Sequence, residues 1–204
     1  EILVKKGYEF KTNNSDTEVL LKLLCEYGID CVDMLIGQFA FTYIDLKKNI
    51  TYLCRDRLGQ KPLFFSKSSE CISFSSNLKS LREILDNNNL DEDGLFDYIS
   101  LGVIPSPRTI FKDIYKLEPG FYAEINLDNF EIIEKQYWNP TDFIDNKKFD
   151  YSKFYKLFNE SVDYRLISDV PVACYLSGGI DSSTIIKSLS ENKVQDINTF
   201  SMIT

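Results

Sequence analysis

The sequence predicts two folds in succession: an α+β unit built on antiparallel sheet, then the opening of an α/β unit with parallel strands. Three observations carry this expectation. Between residues 39 and 138, short apolar stretches recur with polar turns between them, as antiparallel neighbours require. Near the C-terminal end, an apolar strand, a Gly-Gly turn, a helical stretch and a second strand make one βαβ unit. Residues 139–149 are polar and contain Pro140, which makes them the best linker. The expected division is therefore 1–138, a linker over 139–149, and 150–204.

Each element has a local reason. Ser15, Asp16, Thr17 and Glu18 read as a capping box, Val19, Leu20, Leu23, Leu24 and Tyr27 follow at helical spacing, and Gly28 stops the helix. Phe39, Phe41 and Tyr43 alternate with Ala40, Thr42 and Ile44, and a turn at Lys47, Lys48 and Asn49 returns the chain along 50–54 as a hairpin. Strand signals over 62–65 and 71–75 flank a polar turn at 67–70 and extend the antiparallel sheet. Helices are expected around 78–85 and 92–101, followed by a Pro-bearing loop over 104–109 and a strand pair near 120–127 and 130–138. Past the linker, Phe154, Leu157, Phe158, Val162 and Leu166 share one face of a helix over 151–167. The βαβ unit then runs through a strand ending at Leu176, a helix to about Ser190 and a strand over 197–203.

Composition narrows the partners. With 23 Lys and Arg against 31 Asp and Glu, the net charge is −8, which argues against a nucleic-acid surface. No apolar run approaches a membrane span and no signal pattern opens the chain, so neither nucleic acid nor membrane is an expected partner. Five cysteines, none in a Cys-x-x-Cys pair, suggest a reducing cytoplasm rather than a disulfide framework or zinc site. The absence of His removes Ser-His and Cys-His relays.

The stretch from Val170 to Ser183 carries the clearest chemistry. Gly178 and Gly179 let main-chain N–H groups approach an anion, and the helix that follows offers its unpaired N-terminal donors to the same anion. Ser177, Ser182 and Ser183 add hydroxyls, while Asp181 supplies a carboxylate where a magnesium ion bridging phosphates can sit. A Walker-type loop needs Lys just after its last Gly; Ile180, Asp181, Ser182 and Ser183 stand there instead. The site suits pyrophosphate as a leaving group better than γ-phosphoryl transfer, although a Ser-capped turn opening an ordinary helix would use some of the same residues.

This loop resembles the pyrophosphate loop of the ATP-pyrophosphatase fold, and with Ser168, Asp169, Val170, Pro171 and Val172 before it, that of glutamine-hydrolysing asparagine synthetases. Upstream, Arg55, Asp56, Gly59, Pro62 and Leu63 resemble the Arg-Asp-x-x-Gly-x-x-Pro-Leu stretch of the glutaminase domain of that family, and 37–41 resembles the strand before it. On chemistry alone, Arg55 and Asp56 read as an ion pair pinning a turn. The resemblance implies an incomplete glutaminase of the N-terminal nucleophile hydrolase type, an α+β antiparallel-sheet fold, followed by the start of an α/β parallel-sheet ATP-pyrophosphatase domain.

The same resemblance implies the roles. Leu176, Ser177, Gly178, Gly179, Asp181, Ser182 and Met202 would bind ATP and its pyrophosphate, Leu176 and Met202 through main-chain groups at the adenosine end. Asp181 would hold Mg2+, and Asp16 would bind the α-amino group of glutamine, with an extra residue at Asn13 and Asn14 relative to the family pattern. Glutamine, aspartate and ATP are the implied small molecules, ATP and Mg2+ the cofactors, and a homodimer is compatible with the full-length parent. The family nucleophile is an N-terminal Cys; here the first residue is Glu1 and the first Cys is Cys25, so the expectation is a fragment, poorly soluble and inactive alone. Two other readings stay open: a relative that amidates another acid or closes a β-lactam ring, and a non-catalytic nucleotide-binding module.

Overall fold

The computed structural model describes all residues except 14, 69–70, 145–147, 192–196 and 203–204. Parts of the expected turn at 67–70, the linker at 139–149 and the last strand at 197–203 therefore lie outside the described residues. The chain divides into two compact units, Glu1–Ile144 and Asp145–Thr204.

The first unit opens with a short helix, α1 (Ile2–Lys5), that local sequence did not signal, and then α2 (Asp16–Tyr27). Ser15 caps α2 by accepting from the N–H of Glu18, and Gly28 ends it with φ +66°. The reciprocal half of the expected capping box is not made, because the Glu18 carboxylate is engaged by Lys11 and Thr12 instead. A 3₁₀ stretch, Gly28–Met34, leads to the hairpin β1 (Ala40–Asp45) and β2 (Ile50–Arg55). Next come β3 (Phe64–Lys67), β4 (Ile72–Ser75), α3 (Leu78–Ile84), α4 (Glu92–Leu101), β5 (Tyr115–Lys116), β6 (Phe121–Asn126) and β7 (Ile132–Gln136).

These strands form two antiparallel sheets rather than the single one expected: β1-β2-β6-β7 and β4-β3-β5. The reason lies in the burial pattern. Leu53 of β2 and Ala123 and Ile125 of β6 point one way and meet Phe65 of β3 together with Leu63 and Leu117, which adjoin β3 and β5. Residues one step along the hairpin point the other way, as period-2 geometry demands, so Phe41 and Tyr43 pack against Leu23, Leu24 and Cys31 under α2. α1, α2 and the 3₁₀ stretch therefore lie on one face of the four-stranded sheet and the second sheet on the other, with α3 packed against β3 and β4.

At two places in this unit a glycine sits against a main-chain carbonyl. A Cβ on Gly94 would stand 2.4 Å from the carbonyl oxygen of Thr109, so the first turn of α4 rests directly on that strand-like segment. Gly120 has φ +73°, and a Cβ there would stand 2.5 Å from the carbonyl oxygen of Trp138. The start of the expected linker is ordered: Asn139 caps a 3₁₀ turn at Pro140–Phe143 and the Phe143 ring lies 6.1 Å from that of Trp138.

The second unit contains α5 (Tyr151–Tyr164), β8 (Ala173–Tyr175), α6 (Ile180–Glu191) and β9 (Asn198–Phe200), with β8 and β9 parallel. Asp150 caps α5 by accepting from the N–H of Lys153. Of the apolar face expected on α5, only Val162 is buried; Phe154 and Leu157 are each 54% exposed. Leu189 of α6 is fully buried and Ser188 hydrogen-bonds Asn159 of α5. The last strand is shorter than expected, so Met202 lies past its end and is 90% exposed.

Candidate functional site

The loop between β8 and α6 has the strand–turn–helix geometry its residues anticipate. Gly178 takes φ +80°, a conformation that costs an L side chain, and open space surrounds the position a Cβ would take. Ser177 and Ser182 place their Oγ atoms 3.1 Å apart across the turn, and Ser182 Oγ also donates to the carbonyl of Gly179. Asp181 lies in the first turn of α6, exposed. The first N–H groups of a helix have no acceptor within it, so glycines, hydroxyls and donors meet at one exposed turn.

Leu176 and Met202, expected at the adenosine end, sit differently. The N–H of Leu176 donates to Phe200 O at 2.9 Å, and its carbonyl accepts from Ser201 Oγ at 2.7 Å. Its main chain thus extends the pairing of β8 with β9. Met202 follows directly, outside the strand.

In the first unit, Asp16 is the first residue of α2 and is exposed. It lines two cavities. One, about 760 Å³, is bounded mainly by apolar side chains of α2 and β1 together with Gly37, Gln38 and Phe39. The other, about 430 Å³, is bounded by Phe10, Thr12, Asn13, Ser15, Asp16 and Val19 with Glu1. Four contacts surround the Glu18 carboxylate beside them, and the hydrogen bonds from Thr12 and Lys11 hold its pKa down at about 2.

The loop after β2 is held from two sides. Asp56, 1% exposed, accepts from the N–H groups of Leu58, Gln60 and Lys61 at 2.9 to 3.1 Å. Arg55 donates to the carbonyls of Lys61, Leu117 and Gly59 at 2.6 to 2.9 Å. The expected Arg-Asp ion pair is thus replaced by two separate clamps on main chain, because a folded loop has more buried amides and carbonyls to satisfy than one ion pair could cover. A Cβ on Gly59 would meet the Arg55 guanidinium at 2.9 Å, which fixes glycine there. Arg57 donates to the carbonyls of Leu35 and Asp33 and so ties this loop to the segment entering β1.

All five cysteines are free. Burial pushes the Cys31 thiol up to about 11 and the Cys54 thiol higher still, so neither is disposed to act as a thiolate nucleophile. Cys25, in α2, and Cys71 are exposed.

Residues 1–138 match the family model described as a glutamine amidotransferase domain, and residues 153–204 match the one described as asparagine synthase. The chain belongs to the glutamine amidotransferase domain family and, as a two-part sequence, to the glutamine-hydrolysing asparagine synthetases. It is 38% identical over 206 residues to a protein of Methanocaldococcus jannaschii named putative asparagine synthetase [glutamine-hydrolyzing] 2, covering 98% of this chain and 40% of that protein. To asparagine synthetase [glutamine-hydrolyzing] 3 of Bacillus subtilis it is 39% identical over 184 residues, covering 88% of this chain and 30% of that protein. The chain thus spans 30 to 40% of the length of these two relatives. A solved glutamine phosphoribosylpyrophosphate amidotransferase from B. subtilis overlays with a TM-score of 0.47 at 15% identity, covering 98% of this chain and 41% of that one, too distant to carry an argument.

Two parts of this arrangement escaped sequence reasoning. The Glu18 clamp was masked by the capping-box pattern, which assigns that carboxylate to another donor. The anchoring of Arg57 had no local signal, since its acceptors are carbonyls more than 20 residues away.

Proposed function

We propose that this sequence is part of an enzyme that makes asparagine from aspartate, using ATP and ammonia released from glutamine. One observation carries the reading: a glutamine amidotransferase match over 1–138 precedes, in the same chain, an asparagine synthase match whose Gly-Gly turn opens a helix beside two facing hydroxyls. Ammonia release and amide formation are complementary half-reactions.

In this reading, Ser177, Gly178, Gly179, Asp181 and Ser182 hold the pyrophosphate of ATP, with Leu176 and Met202 towards adenosine. A carboxylate oxygen of aspartate attacks the α-phosphorus, pyrophosphate leaves, ammonia attacks the acyl carbon, and AMP departs with that oxygen. Holding pyrophosphate in a ring of fixed donors stabilises the leaving group as its charge develops. Among the described residues no three His, Cys, Asp or Glu side chains cluster to cage a metal. A magnesium ion would therefore be held by Asp181 and by phosphate oxygens, a ligand set that suits it, and when bound it would neutralise charge on the leaving group.

Asp16 would hold the α-amino group of glutamine. The buried Cys31 and Cys54 are unsuited to act as the nucleophile of glutamine hydrolysis. Five free thiols fit a cytoplasmic enzyme, and among the described residues no helix is long and apolar enough to cross a membrane. The test is isotopic. Aspartate labelled with oxygen-18 in its side-chain carboxylate, turned over by the full-length enzyme, should pass label into AMP; unlabelled AMP, or orthophosphate in place of pyrophosphate, would overturn the mechanism.

A further inference from the structure

The start of α2 is laced to the extended segment before it by two side chains one helical turn apart. Ser15 Oγ accepts from the Glu18 N–H, while the Glu18 carboxylate faces back along the chain to Lys11 and Thr12. One oxygen accepts from Lys11 N–H at 2.9 Å and meets the Lys22 ammonium at 3.2 Å. The other accepts from Thr12 N–H at 2.8 Å and Thr12 Oγ1 at 2.6 Å. Lys22 in turn donates to the carbonyl of Glu9 and lies 4.7 Å from the centre of the Phe10 ring. Residues 9–12 are thus pinned one after another.

That pinned segment is a wall of the smaller cavity, where Phe10, Thr12 and Asn13 stand around Ser15 and Asp16. We propose that Glu18 is a positioning residue for glutamine: it touches no substrate, but it fixes the wall that faces Asp16 and so sets the shape in which an α-amino group is held. This rests on the reading of Asp16 as the amino-group partner. The chemistry is economical. An ionised carboxylate accepting several hydrogen bonds is a stiff strut, since charge-assisted bonds are shorter and stronger than neutral ones. Its depressed pKa keeps it ionised at any pH at which the protein would work.

The test compares E18A, E18Q, T12V and D16N in the full-length enzyme, measuring kcat and KM for glutamine and, separately, the rate with ammonia, which bypasses the glutamine site. E18A should raise the glutamine KM about tenfold, the equivalent of one lost hydrogen bond's worth of preorganisation. The ammonia-dependent rate should stay within twofold. E18Q, which keeps one acceptor oxygen, should recover part of the loss, and T12V, which removes only the hydroxyl contact, should show a smaller rise. Outcomes separate cleanly. If D16N raises the glutamine KM and E18A does not, the strut is rejected and the Asp16 assignment stands; if neither does, the Asp16 assignment itself fails. Equal loss of the glutamine- and ammonia-dependent rates in E18A would show a general structural role and also reject the proposal.

Discussion

Replacing Asp56 tests how the loop after β2 is held. Its carboxylate is buried and accepts three main-chain N–H bonds, two at Oδ1 and one at Oδ2. In Asp56→Ala all three donors lose their acceptor, and bonds to a charged group contribute roughly 1.5 to 3 kcal/mol each. Leu58, Gln60 and Lys61 are surface residues, so water can reach their amides once the carboxylate is gone. Taking about 1 kcal/mol per donor, the expected loss is about 3 kcal/mol for Asp56→Ala. Asp56→Asn keeps the two bonds at Oδ1 and should lose about 1 to 2 kcal/mol. The assay is urea unfolding of the 204-residue chain followed by fluorescence of Trp138, its single tryptophan. Trp138 is a local reporter, since its N–H donates to Gly120 O and the N–H of Gly120 donates to Asp56 O. With a urea slope near 2 kcal/mol/M, Asp56→Ala should move the midpoint down by about 1.5 M. A midpoint within about 0.3 M of the parent would show that the loop does not depend on this carboxylate.

Two further outcomes are expected. The folded-state pKa of Glu18, about 2, lies below its ordinary value of 4.5, so the stability it contributes is complete above pH 4.5 and is lost as pH falls toward 2. Titration by carboxyl-carbon NMR should place its midpoint near 2, and a value at or above 4 would mean that the Lys11 and Thr12 contacts are not maintained in solution. Thiol labelling at pH 8 should modify Cys25 and Cys71 rapidly and leave Cys31 and Cys54 protected until urea unfolds the chain; equal rates at all five would contradict the packing between α2 and the four-stranded sheet.

What the sequence revealed was local. The cap at Ser15, the stop at Gly28, the hairpin of β1 and β2 and the strand–turn–helix at Ser177 to Ser183 are each specified within a few residues, so propensity and pattern suffice. Long-range pairing was not legible. Two residues at Tyr115–Lys116 become a strand only because β3 offers them an edge, and alternation looks the same whether seven strands form one sheet or two. The same limit applies to charged side chains. Arg55, Asp56 and Glu18 advertise opposite charges and a capping motif, but their partners are main-chain amides and carbonyls: those of Asp56 and Glu18 lie in neighbouring loop segments whose course no pattern specifies, and the Leu117 acceptor of Arg55 comes near only when a distant segment packs. The face expected on α5 is real in pattern, yet within its own unit only Val162 is buried.

The clamp at Arg55 also has a history in time. Its Nη1 group donates to a carbonyl 62 residues further along the chain, and its own carbonyl accepts from the Tyr137 hydroxyl, 82 residues further. Ribosomes add about 5 to 20 residues per second, so Tyr137 is made about 4 to 16 s after Arg55. Throughout that interval the β1–β2 hairpin and the bonds within its following loop can form, but the tie from Tyr137 to Arg55 cannot. A nascent chain paused between residues 60 and 117 would carry the arginine without its Leu117 acceptor, so this buried bond closes only after the whole span between them has been made.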